Sequence, residues 1–122
     1  MGQPVVHWEI AADDAKKLQD FYSGLFEWKI DSNNPMNYGM VETGGEGGIS
    51  GGIYDNGGDK SRTLTFYVQV DDLEAYLKKA EKLGGKRMTD PTPIPGTGRA
   101  IAHFTDPGGN PVGLFKPETG QA

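Results

Sequence analysis

His7 and Glu9 stand two residues apart in the run Val5-Val6-His7-Trp8-Glu9-Ile10. In an extended chain alternate side chains share a face, so imidazole and carboxylate lie side by side, their Cα atoms roughly 6.5–7 Å apart. That pairing suits proton transfer: Glu9 is a candidate general base, and His7 a hydrogen-bonding partner or a ligand. Thr65, Tyr67 and Gln69 share a face in the same way. Tyr67 offers a proton donor or a ring to stack on a planar ligand, with Thr65 and Gln69 as polar contacts. His103 alternates onto the face of Ile101 and supplies the second imidazole, and Phe115 offers an apolar wall.

Composition removes several other chemistries. There is no cysteine and there are only 2 histidines, so thiolate catalysis, disulfides and cysteine-bound zinc are excluded. Gly44, Gly45, Gly47 and Gly48 do not follow a strand with a phosphate-loop lysine, and the chain has no nucleophile elbow. Twelve basic against 17 acidic residues give a net charge of −5, which argues against a nucleic-acid partner. No apolar run approaches the roughly 18–20 residues that span a bilayer, so no membrane partner is expected. The first residues carry no secretory pattern, and the expected location is the cytoplasm.

Strands must hold these side chains, and helices must fix the strands. Residues 5–10 read as a strand with Val6, Trp8 and Ile10 on the face opposite His7 and Glu9. Asp13 or Asp14 is placed to cap a helix, whose apolar stripe is Leu18, Phe21, Tyr22 and Leu25. Gly24 and Phe26 mark the exit towards a strand at residues 27–30, with a loop at residues 31–35. Strands are expected at residues 38–42 and 49–54, joined by a glycine-rich turn. The order then repeats. Residues 63–70 form the strongest strand, with Leu64, Phe66, Val68 and Val70 facing a helix. Asp71 or Asp72 caps that helix, and its stripe is Leu73, Tyr76, Leu77 and Ala80. Gly84-Gly85 ends it. Strands follow from residue 86, at 99–104 and at 112–115. The proline-rich residues 90–98 form a loop, because proline removes donors from a central strand. The offset that carries Leu25 to Leu83 also carries Asp13-Asp14 to Asp71-Asp72 and His7 to Thr65, which favours tandem duplication over two unrelated segments. The chain is thus read as one α+β domain, residues 1–122, made of two βαβββ modules at residues 1–56 and 62–117.

With Phe21-Tyr22-Ser23-Gly24-Leu25-Phe26, Tyr67-Val68-Gln69-Val70-Asp71-Asp72-Leu73 and Asp106-Pro107-Gly108-Gly109-Asn110-Pro111 in place, the chain resembles the vicinal oxygen chelate superfamily. That superfamily includes glyoxalase I, bleomycin resistance proteins, fosfomycin-modifying thiol transferases and extradiol dioxygenases. The resemblance runs from Val5 to Lys116. It implies curved sheets facing each other around a cavity, helices on their convex sides, and a homodimer. It also implies a divalent ion held by His, Gln or Glu from equivalent strands.

Carried over residue by residue, His7 matches a ligand position. Its counterpart is Thr65, the position often filled by Glu is Gly113, and the counterpart of Gly113 falls near Gly51. One expected ligand is kept and the others are lost, so no cofactor is expected. The alternative kept open is zinc, nickel, manganese or iron on His7 with help from Glu9, Gln69 and His103. Two functions follow. The first is glyoxalase-related lyase or isomerase chemistry on a small oxygenated or thiol-conjugated molecule, with a degenerate metal site. There His7 and Glu9 are catalytic, and Thr65, Tyr67, Gln69, His103 and Phe115 contact substrate. The second is metal-free binding of an antibiotic-like small molecule.

Overall fold

The computed structural model describes residues 2–34 and 37–118. Pro35, the end of the loop expected at residues 31–35, lies outside the described residues. The architecture is mixed α+β, with two helices and nine strands among the described residues. The chain folds as two compact units, Val6–Thr65 and the remainder.

The Val6–Thr65 unit is built on β1 (Val5–Ala12), α1 (Ala15–Phe26), β2 (Lys29–Asp31), β3 (Gly39–Glu42) and β4 (Gly51–Asp55). Its strands lie in the order β2-β3-β4-β1, with β4 parallel to β1 and the other pairs antiparallel. Asp14 caps α1 by accepting from the Lys17 amide. The helix runs past Gly24 and stops at Phe26, where Glu27 takes a left-handed turn at φ 59°. Here the sequence reading needs correction. The side chains that α1 buries are Ala15 and Gln19, whereas Phe21 and Leu25 of the expected stripe are each 57% exposed. Gly39 supplies the reason: a Cβ there would strike the Gln19 amide, so the missing side chain opens a slot for Gln19. The Gln19 Nε2 donates to the Ile53 carbonyl at 2.9 Å, which satisfies the buried amide and fixes the rotation of the helix. Trp8 packs against Trp28, which stacks on Tyr22, so both tryptophans serve packing.

The second unit contains β5 (Leu64–Gln69), α2 (Leu73–Lys82), β6 (Lys86–Arg87), β7 (Thr92–Ile94), β8 (Arg99–Thr105) and β9 (Pro111–Lys116). The order is β5-β9-β8-β6, with β5 parallel to β9 and β7 also paired to β8. Both units therefore follow one path: a first strand, a helix, and later strands of which the last returns parallel to the first. β7 corrects the expected loop at residues 90–98. Pro93 is tolerated there because β7 lies on the outer side of β8, where a missing donor faces no further strand. Asp72 caps α2 by accepting from the Ala75 amide. Leu73 and Leu77 pack with Val70, Ala102 and Leu114 into the core, and Val68 packs against it. Leu64 and Phe66, expected on this helix-covered face, are exposed at 65% and 43%. A ten-residue helix is only about 15 Å long, and the core it covers takes only Val68 and Val70 from this run.

Among the described residues, no helix is long and apolar enough to cross a membrane.

The two helices should respond differently to truncation. Leu77→Ala removes a side chain with 0% exposure and should cost about 3 kcal/mol in urea unfolding. Leu25→Ala should change stability by no more than about 0.5 kcal/mol. Equal losses would contradict the helix orientation described above.

Candidate functional site

In the Val6–Thr65 unit, β1 presents His7 and Glu9 on one face, as alternation requires. Across the parallel pairing, Glu9 is opposite Gly52. The space a Cβ would fill at Gly52 is taken by the ring and hydroxyl of Tyr38. That hydroxyl donates to Glu9 Oε2 at 2.8 Å and lies 2.8 Å from His7 Nε2. A phenol has one proton, so with Glu9 accepting it the His7 Nε2–H donates to the phenol oxygen. The result is a continuous chain, imidazole to phenol to carboxylate.

Tyr38 lies just before β3 and is held by its main chain. The Asn34 side chain donates to the Tyr38 carbonyl at 2.7 Å and accepts from the Tyr38 amide at 2.9 Å. A second ring, Tyr54 of β4, stacks on Tyr38 with centroids 5.7 Å apart and planes at 22°. Burial and the nearby Glu9 charge push the Tyr54 phenol above its usual range, with Arg62 pulling the other way. Burial likewise holds the His7 imidazole below its ordinary value, and Glu9 opposes this less strongly. His7 is therefore neutral at pH 7, and Tyr54 is protonated.

In the other unit, Tyr67 is buried at 4% exposure, and its ring fills the space a Cβ would take at Gly113. Its hydroxyl lies 2.7 Å from His103 Nε2, and the rings meet edge to face. Register pairs Tyr67 and His103 with Gly113, and Gln69 with Phe115. Alternation puts these four side chains on the face opposite the α2 core. Thr65 is half-buried in β5.

The structure thus sorts the expected residues into two clusters: His7 with Glu9, and Tyr67 with His103. Register places the counterpart of Gly113, expected near Gly51, at Gly52, and Gly51 faces the Trp8 ring on the helix side. Tyr38, Tyr54, Arg62 and Asn34 were missed. The adjacent Gly51-Gly52 inside a strand was the available signal, because strand glycines often mark a close approach of other groups.

Residues 5–114 match the Glyoxalase/Bleomycin resistance protein/Dioxygenase superfamily. The chain belongs to this superfamily. It is 31% identical over 91 residues to a glyoxylase-like domain-containing protein of Didymella fabae, covering 67% of this chain and 69% of that one. It is 27% identical over 125 residues to the anthracycline biosynthesis protein DnrV of Streptomyces peucetius, covering 89% of this chain but 45% of DnrV. It thus spans about half the length of DnrV. The fold matches methylmalonyl-CoA epimerase of Mycobacterium tuberculosis with a TM-score of 0.64 at 14% identity, over 93% of this chain and 87% of that one.

Superfamily membership raises the question of a divalent ion. A resident ion wants three or more converging donors. Among the described residues no group of three His, Asp or Glu side chains converges in that way. At Gly113 and Gly52 no donor side chain is present, and tyrosine rings occupy the space one would need. His7 and Glu9 both bond to Tyr38. Within either cluster, the described residues thus offer an ion fewer than three such donors.

The depressed imidazole sets a pH dependence. The folded value lies below 6.5, so on acidification the unfolded chain takes up the His7 proton first. Stability from this group is constant above about pH 6.5 and is lost as pH falls through the window below it. Urea unfolding at pH 7.5 and 5.5 should show a smaller acid loss in His7→Gln than in the native chain. An unchanged difference would remove His7 as the source.

Proposed function

We propose that this superfamily member catalyses proton transfer at a carbon beside a carbonyl, in lyase or isomerase fashion, on a small oxygenated or thiol-conjugated molecule. Glu9 is the base. The observation that carries the reading is the hydrogen-bonded chain His7–Tyr38–Glu9, with both contacts at 2.8 Å. Glu9 takes the acidic C–H proton, and the electron pair moves into the carbonyl as an enolate. In an isomerisation the proton returns from Glu9 to carbon; in an elimination the pair expels a leaving group instead. Tyr38 orients the carboxylate, and neutral His7 fixes the phenol through its Nε2–H. The fold it shares with an epimerase supports the reaction class.

A second reading is sequestration of a planar molecule without chemistry. The stacked Tyr38–Tyr54 pair supports it, as does the likeness to a protein of anthracycline biosynthesis.

Deuterium uptake separates the two. The protein is incubated in heavy water with hemithioacetals of 2-oxoaldehydes and with 2-substituted malonyl thioesters, and the acidic C–H is followed by mass spectrometry. Protein-dependent uptake is expected, reduced at least about a hundredfold in Glu9→Gln. Full uptake by Glu9→Gln would remove Glu9 as the base. Saturable binding of a planar compound with no exchange of any substrate would move the assignment to sequestration.

A further inference from the structure

The α2 unit contains a cleft of about 380 Å³ away from both polar clusters. It arises because the core stops short. Leu73 and Leu77 fill the first turns of α2 against Val70, Ala102 and Leu114. The next residue on that face is Ala80, whose methyl leaves the sheet uncovered, and Leu83 beyond it is 71% exposed. The floor is Val68, Phe104 and Leu114, and Pro107 forms a wall. Gly85 closes the end tightly: a Cβ there would lie 2.7 Å from the Thr105 carbonyl oxygen.

The rim is polarised although the chain carries −5 overall. Lys79 and Asp106 both border the cleft. Asp106 is committed to its own turn, accepting from the Gly108 and Asn110 amides at 2.9 Å each, and these bonds help hold its carboxyl below the usual range. The nearby acids Glu74, Glu81 and Asp90 are drawn to Arg87 at 2.6, 3.5 and 3.0 Å. Lys79 and Lys82, in the last turn of α2, have no carboxylate within ion-pair distance among the described residues. The rim thus carries one cation, Lys79, and one carboxylate, Asp106, whose oxygens are engaged within its own turn.

We propose that this cleft binds a fused two-ring aromatic anion, its rings on Val68, Phe104 and Leu114 and its acidic group at Lys79. Size selects the class. A cavity of about 150 Å³ holds one benzene ring, and this one is roughly two and a half times larger. The almost wholly apolar lining accepts rings without polar substituents at depth, and the ammonium group favours an anionic substituent at the mouth.

The test uses 2-naphthoate as probe and the neutral 2-acetylnaphthalene as comparator, followed by amide chemical shifts of the intact chain. The naphthoate should shift the amides of Ala80, Leu83, Gly85 and Phe104. Ala80→Leu should abolish these shifts by filling the cleft. Lys79→Gln removes an exposed ammonium and its contact with the Tyr76 ring without touching the core, so it keeps the test decisive should Ala80→Leu fail to fold. It should weaken naphthoate about fivefold and leave 2-acetylnaphthalene unchanged. The proposal is overturned by any of three results. These are no shift at these amides with roughly 1 mM naphthoate, shifts confined to the exposed α1 residues Phe21, Leu25 and Phe26, or equal effects of Lys79→Gln on both probes. None of these outcomes bears on Glu9.

Discussion

A tyrosine ring lying against a strand glycine is the contact on which each polar cluster depends. Tyr38 occupies the side-chain space of Gly52, and Tyr67 that of Gly113. In both units the glycine lies on the strand that runs parallel to the unit's first strand. With no Cβ beneath it, the ring can settle against the backbone and place its hydroxyl within hydrogen-bond distance of a histidine, 2.8 Å in one case and 2.7 Å in the other. Any larger residue at the glycine would displace the ring, and the imidazole would lose its partner. A ring and a second side chain cannot share that space, so neither glycine position can carry a donor of its own while the ring is there.

The two units reach this contact by different routes. In one, the histidine is on the first strand and the tyrosine precedes a later one. In the other, the tyrosine is on the first strand and His103 is on β8. Duplication explains the common path of the strands, and the swapped positions show that the side-chain pairs are not a simple copy. Glu9 has Tyr67 as its positional counterpart, each opposite a glycine. The first unit thus combines a carboxylate with its imidazole and phenol.

Much of the framework was legible from periodicity. Alternation placed His7 and Glu9 on one face, aspartates before apolar stripes marked both helix starts, and Leu73 and Leu77 formed the core they promised. What could not be read depended on contacts distant in sequence. The rotation of α1 is set by Gln19 reaching the Ile53 carbonyl across the slot at Gly39, so the more apolar stripe with Phe21 and Leu25 lost to a buried amide. Tyr38 was invisible as a site residue because its position comes from Asn34 gripping an irregular backbone, and no strand period marks such a turn. Edge pairing by Thr92–Ile94 was hidden by Pro93, a residue that excludes a central strand and permits an outer one.

Charge distinguishes the members of the first cluster. Burial outweighs the pull of Glu9 on His7, so the imidazole is neutral at pH 7 and its Nε2 proton is spent on Tyr38. The phenolic proton of Tyr38 is in turn directed at Glu9. Tyr54 is pushed up by burial and by the same carboxylate, so it holds its proton and can serve as a donor but not as an acceptor of protons from carbon. Glu9 is thus the carboxylate of a cluster that otherwise holds two phenols and a neutral imidazole. If Glu9 takes a substrate proton, as proposed, the Tyr38 proton stays directed at its carboxyl, and Tyr54 is the other protonated phenol nearby. In the proposed reaction the groups around Glu9 are hydrogen-bonding phenols and an imidazole. Their effect comes from being held in position before the reaction begins.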